Sequence, residues 1–271
     1  MGLFSGKRGI IMGVVNEYSL ATGVAKYLVE QGAELGFSHL PDKDGRDRMA
    51  KRVQRVAEPL NVKFVRPCDV SIDDDITRFY SEVGESFGPI DFVLHSIAFA
   101  PLEDLRCPTI ESSREGFRLG MDISVYSFIA VARAAAKVMN NGGAMVTMSY
   151  FGGERVIDGY NMMGVCKAAL EMATRYLAFD LGPRGIRVNA LSAGPMKTLA
   201  ASAVGDFSRM LNAHAKGSPM LRNITQDDVG KTCGFLLSEM SSGTTGEVLH
   251  VDCGYSIMGS HEFVEERVKQ Y

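Results

Sequence analysis

Two tyrosines and one lysine in the second half of the chain have the residue types and spacing that acid–base chemistry requires. Tyr150 and Tyr160 lie ten residues apart, and Lys167 follows Tyr160 by seven residues. A tyrosine hydroxyl can donate a hydrogen bond or a proton to an oxygen that gains negative charge, and a nearby ammonium group lowers the pKa of that hydroxyl. Tyr150, Tyr160 and Lys167 are therefore the candidate catalytic residues, and Tyr160 and Lys167 are a candidate pair. Taken alone, two such residues are more often a half-buried tyrosine and a solvated helical lysine.

A glycine-containing turn near the N-terminus is a candidate binding site for a cofactor phosphate. Gly13 follows an apolar run, and Ser19, Leu20 and Gly23 come at the start of a helical pattern. Gly13 would let the backbone approach a pyrophosphate, Ser19 would offer a hydroxyl and cap the helix, and Gly23 would allow close packing of the helix on a sheet. The spacing is not G-x-G-x-x-G, so these glycines are as often plain turn and packing residues.

Turns with small residues also follow three later apolar runs. The residues in these turns that we expect to contact a cofactor are Asp69, Val70, Ser96, Ile97, Met196, Thr198 and Ala200. Asp69 would accept a hydrogen bond from adenine, or it would instead cap the next helix. Residues 38–41, after the second run, include no acid, so the rule that separates NAD sites from NADP sites does not decide here. Four such turns in succession favour a dinucleotide-binding site.

The segments between these turns predict the sheet that positions them. Apolar runs typical of strands buried on both faces alternate with helical patterns, which predicts a mostly parallel, doubly wound α/β sheet of the Rossmann type with about seven strands. Helices are expected at 21–31, 46–57 and 73–86, and strands at 9–15, 33–38, 62–66, 90–95, 144–148, 186–191 and 247–251. We expect one domain over residues 1–271. Residues 200–217 interrupt the alternation, and the pattern alone fits a mobile lid and an ordinary crossover helix equally well.

Composition excludes several classes of partner. The net charge of −3 offers no electrostatic surface for nucleic acid or an anionic membrane, and no apolar stretch approaches the roughly 18 residues of a membrane helix. The five cysteines are odd in number and widely spaced, which argues against a disulfide framework and a metal site. These features predict a cytoplasmic protein. The 29 glycines exceed the usual share, and several of them fall in the turns described above.

Over nearly its whole length the chain resembles the short-chain dehydrogenase/reductase superfamily. The resemblance is closer still to the bacterial NADH-dependent enoyl-acyl-carrier-protein reductases of type II fatty-acid synthesis. The matching segments are 13–23, 68–70, 95–101, 122–124, Tyr150 with Tyr160 and Lys167, 187–190, 192–195, 198–202 and 246–252. As a combination these segments are highly specific.

The spacing of Tyr160 and Lys167 separates this family from its relatives. Most short-chain dehydrogenases carry Tyr-x3-Lys, whereas position 164 here is glycine. Along a helix seven residues rise about 10.5 Å and four rise about 6 Å, so Lys167 cannot stand as close to Tyr160 as in a carbonyl reductase. We infer divided roles, in which Tyr160 stabilises the enolate that forms when hydride reaches the β-carbon of a trans-2-enoyl thioester. Lys167 would bind the ribose of the nicotinamide.

The same resemblance implies the substrate site and the partners. Ala100, Tyr150, Tyr160, Met163, Phe207 and Met210 would border the substrate, and residues from about 197 to 217 would form a substrate-binding lid. The implied cofactor is NADH rather than NADPH, the substrate is an enoyl chain on acyl carrier protein, and the implied assembly is a homotetramer. Leu40 and Ala98 depart from the family pattern, in which a polar residue and a glycine are usual. Leu40 leaves adenine recognition and the NADH preference open.

Two alternatives remain open. A β-ketoacyl thioester reductase would share the fold, but the seven-residue spacing and the second tyrosine disfavour it. A non-catalytic dinucleotide sensor would have no need to retain Tyr160 and Lys167 together.

Overall fold

Parallel strands form one seven-stranded sheet in the computed structural model, which describes residues 2–42, 44–196 and 207–259. The strands are β1 (Arg8–Met12), β2 (Glu34–His39), β3 (Phe64–Pro67), β4 (Ile90–His95), β5 (Met139–Ser149), β6 (Arg187–Ala193) and β7 (Val248–Val251). Their order across the sheet is β3-β2-β1-β4-β5-β6-β7, and every neighbouring pair is parallel. All seven carboxyl ends therefore lie along one edge of the sheet.

Helices pack on both faces of this sheet. They are α1 (Leu20–Glu30), α2 (Arg48–Ala57), α3 (Asp73–Glu82), α4 (Leu102–Arg106), α5 (Arg114–Met121), α6 (Ser127–Ala135), α7 (Asn161–Leu181), α8 (Phe207–Gly217) and α9 (Gln226–Leu237). Alternate strand residues belong to two separate cores. Ile11 and Leu94 pack with α1, α2 and α9, whereas Ile10 and Val93 pack with α3, α6 and α7. Because both faces of the strands are covered, their sequences are continuous apolar runs.

Two polar side chains inside β6 anchor the chain around the sheet. Arg187 is 8% exposed, and its guanidinium donates to the carbonyl oxygens of Leu236 and Ser238 at the end of α9. Asn189 bonds the backbone of Thr244 and Glu247, which lead into β7. The polar residues at 187 and 189 therefore serve the fold, since they satisfy backbone groups that would otherwise be buried without partners.

The doubly wound α/β sheet predicted from the sequence is confirmed, with shifts at the ends of some elements. β5 begins at Met139, five residues before the predicted start at 144. The helix predicted at 73–86 ends at Glu82 and continues as a π-helical turn over Val83–Phe87. Gly88 then ends the turn with a φ of 95°. Among the described residues, no helix is long and apolar enough to cross a membrane.

The stretch predicted as a lid lies partly within the described residues. Residues 207–217 form α8, whereas 197–206 are outside the part of the chain that the structure describes. The lid and the one-domain boundary of 1–271 stay predictions.

Candidate active site

The strand order reverses at β1, which pairs with β2 on one side and β4 on the other. Ligands of open α/β sheets bind outside the carboxyl ends of the strands at such a point. Gly13 follows β1 here with a φ of 99°, and a Cβ at this position would lie 2.0 Å from the carbonyl oxygen of Ser96. Ser96 in turn donates its backbone N–H to Met12 O at 3.0 Å. Position 13 therefore requires glycine, because the turn after β1 and the turn after β4 meet there and leave no space for a side chain.

The structure corrects two details of the turn before α1. Ser19 occupies the N-cap position, but its hydroxyl makes no capping bond and instead accepts the backbone N–H groups of Val15 and Asn16, both at 3.2 Å. The predicted N-cap position is therefore confirmed, but the hydroxyl bonds the preceding turn instead of the first turn of the helix. Gly23 packs against α9, where an added Cβ would lie 2.7 Å from the Cβ of Gln226. The predicted helix-on-sheet role is therefore wrong, and Gly23 allows two helices to approach each other. Leu20 begins α1 and packs, partly buried, on the core of that face.

At the ends of β2 and β3, the acidic side chains accept hydrogen bonds from nearby residues in the turns. Asp69 accepts the backbone N–H of Ser71 at 3.0 Å and its hydroxyl at 2.7 Å. The N-cap of α3 is Ile72, so the alternative role of Asp69 as a helix cap is wrong. Asp42 accepts the N–H of Met49 in the first turn of α2 at 2.9 Å. Val70 is buried and Leu40 is 52% exposed, so an apolar surface adjoins the position expected for adenosine.

His95, which ends β4, is a buried polar residue that sequence reasoning missed. Its Nδ1 lies 3.1 Å from the Thr147 hydroxyl and its Nε2 lies 2.8 Å from the Ser127 hydroxyl. Burial, together with the charge of Lys167, lowers the pKa of His95 to about 3. The imidazole is therefore neutral at physiological pH and joins β4, β5 and α6 beneath Ser96 and Ile97, which lie half-buried at the strand end. A histidine at the end of an apolar run was the available signal.

Tyr150 and Tyr160 lie against each other where β5 ends and α7 begins. Their ring centroids are 4.7 Å apart and their planes meet at 71°. Burial raises the pKa of both hydroxyls, and for Tyr160 the neighbouring Tyr150, Cys166 and Glu171 raise it further. The initial expectation that an ammonium group lowers the pKa of Tyr160 is therefore wrong. The Tyr160 hydroxyl stays protonated at neutral pH and is a hydrogen-bond donor, which agrees with divided roles for Tyr160 and Lys167.

Lys167 is a buried cation with unused hydrogen-bonding capacity. Its side chain is 6% exposed, and Nζ donates to Met148 O at 2.7 Å. Burial lowers the pKa of Lys167 to about 8, although Cys166 and Glu171 act in the opposite direction. An ammonium group has three donors, and among the described residues two of them have no partner. One turn further along α7, the buried Glu171 accepts a hydrogen bond from Ser149 Oγ, a second contact that sequence reasoning missed.

Close approach of two backbones explains the glycines around Tyr160. A Cβ at Gly164 would lie 2.7 Å from Gly152 O, and a Cβ at Gly152 would lie 2.4 Å from Cδ1 of Tyr160. The turn over Phe151–Gly153 can pack on α7 only because these side chains are absent. The tyrosine ring is thereby fixed over the glycine turn.

The predicted substrate residues fall on two sides of the tyrosines. Met210, in α8, places its Sδ 3.8 Å from the Tyr150 hydroxyl. Ala100 and Met163 are buried and belong to the same core as Tyr160. Phe207 begins α8, but the structure does not describe its side chain. Thr198 and Ala200 also lie outside the described residues. Met196 is half-buried against the core on the α1 side of the sheet.

The polar groups at this edge fit a dinucleotide. Ser192, at the end of β6, has a buried hydroxyl with no partner among the described residues, and Lys167 has two unpartnered N–H groups beside the end of β5. A ribose presents hydroxyls that can donate to the first and accept from the second. No group of His, Cys, Asp and Glu side chains in the described part of the chain could hold a metal ion.

This fold and this site define a Rossmann-type, dinucleotide-dependent reductase. A family model described as enoyl-(acyl carrier protein) reductase matches residues 13–256, so the chain belongs to that family. It is 49% identical to an NADH enoyl-[acyl-carrier-protein] reductase of Rhizobium meliloti over 95% of this chain and 93% of the relative.

Solved structures agree with this assignment. The enoyl-[acyl-carrier-protein] reductase (NADH) of Aquifex aeolicus superposes with a TM-score of 0.91 at 46% identity, covering 96% of this chain and 100% of that one. An enoyl-(acyl-carrier-protein) reductase of Anaplasma phagocytophilum in complex with NAD also has a TM-score of 0.91, at 45% identity, and the match covers 96% of this chain and 98% of that one.

Proposed function

We propose that this chain is an NADH-dependent enoyl-acyl-carrier-protein reductase, which reduces the trans-2 double bond of enoyl thioesters in type II fatty-acid elongation. The observation that carries the proposal is the pair of packed tyrosines with a buried lysine seven residues after Tyr160. The close approach of Gly152 and Gly164 leaves no room for a lysine at position 164. Relatives with this function cover nearly the whole chain at 45–49% identity.

When bound at this edge, NADH would supply the hydride that adds to the β-carbon of the enoyl thioester, and a proton from water would then add to the α-carbon. As negative charge develops on the thioester oxygen, Tyr160 donates a hydrogen bond to it. Such a bond strengthens with the charge and so favours the transition state over the bound substrate. Because burial keeps the pKa of Tyr160 high, the hydroxyl holds its proton until that charge develops.

Lys167 and Tyr150 have supporting roles in this proposal. Lys167 donates to the nicotinamide ribose with the N–H groups that the Met148 carbonyl leaves free, and Ser192 offers a further hydroxyl at the same edge. Tyr150 lines the acyl pocket against Met210 of α8. Ala100 and Met163, which are buried in the same core as Tyr160, complete the pocket.

The partners follow from the same proposal. The enoyl chain is delivered by acyl carrier protein. A homotetramer is supported by an apolar stripe on the outer face of α7, where Val165, Met172, Tyr176 and Phe179 are 43–80% exposed. This spacing places all four side chains on one side of a helix. Sedimentation analysis should give a mass of four chains, and a monomer would contradict the assembly.

The five unpaired cysteines support a cytoplasmic location.

A paired assay tests the activity. Oxidation of NADH is followed by its absorbance with crotonyl and acetoacetyl thioesters side by side, and with NADPH in parallel. We expect turnover with crotonyl thioester and NADH. Preference for acetoacetyl thioester would instead identify a β-ketoacyl reductase. Binding of NADH without oxidation by any enoyl thioester would favour a non-catalytic sensor.

A further inference from the structure

Asn161, the residue that joins Tyr160 to α7, has an unusual backbone conformation. Its φ is +44°, in the left-handed region that non-glycine residues rarely occupy and that asparagine tolerates best. Tyr160 precedes it at the N-cap position of the helix with a φ of −90°. The direction in which Tyr160 enters the site is therefore set at a strained junction, and strain of this kind persists only where surrounding contacts maintain it.

One such contact is a long-range hydrogen bond. The side-chain amide of Asn161 donates to the carbonyl oxygen of Leu105 at 2.9 Å, across 56 residues of sequence. Leu105 lies near the end of α4, a helix of five residues whose last carbonyls need partners from outside the helix. The amide supplies one of them and so links the start of α7 to the segment that follows β4.

The middle of α4 is held by hydrogen bonds as well. The buried carboxylate of Asp104 accepts the backbone N–H of Ser113 at 2.6 Å and the Ser113 hydroxyl at 3.1 Å. Ala100, at the start of the same segment, is buried in the same core as Met162 and Cys166 of α7. The segment from 100 to 113 is thus tied down at Ala100, Asp104 and Ser113, and the amide of Asn161 joins it by a hydrogen bond to the start of α7.

We propose that Asn161 is a positioning residue for the reduction. The hydrogen bond from its side-chain amide to the Leu105 carbonyl stabilises the left-handed backbone conformation that orients the Tyr160 hydroxyl. The ring of Tyr160 packs on Tyr150 and Gly152, but among the described residues its hydroxyl has no hydrogen bond. Because no hydrogen bond holds the hydroxyl, the backbone conformation at Asn161 fixes the depth and tilt of the Tyr160 side chain. A displacement of about 1 Å in a catalytic group lowers the rate by up to about 100-fold.

Two substitutions separate the hydrogen bond from the backbone conformation. Asn161→Gly accepts a positive φ without strain but has no amide. Asn161→Asp keeps the size and the tolerance of the left-handed region, but a carboxylate cannot donate to Leu105 O. Asn61→Gly is the matched control, because Asn61 is also left-handed, with a φ of 54°, and lies exposed in the turn after α2. Thermal unfolding of each variant reports folding.

The inference rests on the proposed function, so its kinetic test uses crotonyl thioester and NADH. We expect kcat to fall about tenfold or more in Asn161→Gly and Asn161→Asp, with the Kd for NADH within about twofold of the unsubstituted protein. Asn61→Gly should keep full kcat. Full kcat in Asn161→Gly, or a change confined to the KM for the thioester, would overturn the proposal.

Amide hydrogen exchange gives a readout that does not depend on the reaction. Backbone amides of 102–106 should exchange faster in Asn161→Gly than in the unsubstituted protein, and those amides should be unaffected in Asn61→Gly. Unchanged exchange would overturn the proposed hydrogen bond, whichever substrate the enzyme uses. An unsubstituted protein that reduces no enoyl thioester would instead refute the proposed function, and the exchange experiment would still decide the role of the Asn161 amide.

Discussion

Raising the pH from 7 to 9 should weaken the binding of NADH, because the proposed ribose ligand Lys167 loses its charge over this range. Burial lowers the pKa of Lys167 to about 8 from its ordinary value of 10.5. A lysine is charged below its pKa and neutral above it. The ammonium form therefore predominates at pH 7, and the amine, which donates fewer and weaker hydrogen bonds, predominates at pH 9.

The size of the effect follows from the same pKa. With a value near 8, about 90% of Lys167 is charged at pH 7 and about 10% at pH 9. If only the ammonium form holds the ribose, the apparent Kd for NADH rises about tenfold between these two pH values. Burial also raises the pKa of the neighbouring Cys166 and Glu171.

Fluorescence titration with NADH at constant ionic strength measures this dependence, and circular dichroism confirms that the protein stays folded. Lys167→Met is the matched control, since methionine has a similar unbranched shape and no charge at any pH. The variant should bind NADH weakly, with an affinity that does not change between pH 7 and 9. A flat profile for the unsubstituted protein, or unchanged affinity in Lys167→Met, would refute the role assigned to this lysine.

Two further substitutions test the site and the packing that supports it. Tyr160→Phe should lower turnover by about 100-fold or more and leave the Kd for NADH unchanged, since the hydroxyl acts on the developing charge; steady-state kinetics and fluorescence titration measure both, and normal turnover would contradict the role. Gly23→Ala places a methyl group 2.7 Å from the Cβ of Gln226 and should lower the free energy of unfolding in urea by about 1–3 kcal/mol. Gly182→Ala, in open space with a helical φ of −53°, should not lower it and should raise it by up to about 1 kcal/mol.

The sheet was predictable because burial on both faces leaves a clear signal in the sequence. β4 is an apolar run that ends at His95, and its predicted and observed bounds agree. β5 shows where that signal fails. Its first residues include Asn140 to Gly142, which are exposed and have the composition of a turn, yet they belong to the strand. Residues that lie outside the core carry no periodicity from which to place a strand end.

The site was predictable only in part, since residue type and spacing do not report distant contacts. Tyr160 and Lys167 are recognisable as a pair, but the partners of His95 lie 32 and 52 residues away from it. The hydrogen bond from Asn161 to Leu105 spans 56 residues. Such contacts exist only once the sheet and helices are assembled. The left-handed φ of Asn161 likewise depends on that assembly, although asparagine before a helix is compatible with it.

The seven-residue spacing and the glycines beside it are consequences of the same packing. Any side chain at position 164 would place its Cβ 2.7 Å from Gly152 O, so a lysine there is sterically incompatible with the turn over Phe151–Gly153 as it packs on α7. The same glycine turn also packs against the ring of Tyr160. The cation therefore has to lie further along the helix, at Lys167, where burial lowers its own pKa and the Tyr160 pKa remains high. In the proposed mechanism, this arrangement separates the hydrogen-bond donor for the substrate oxygen from the cation that binds the ribose.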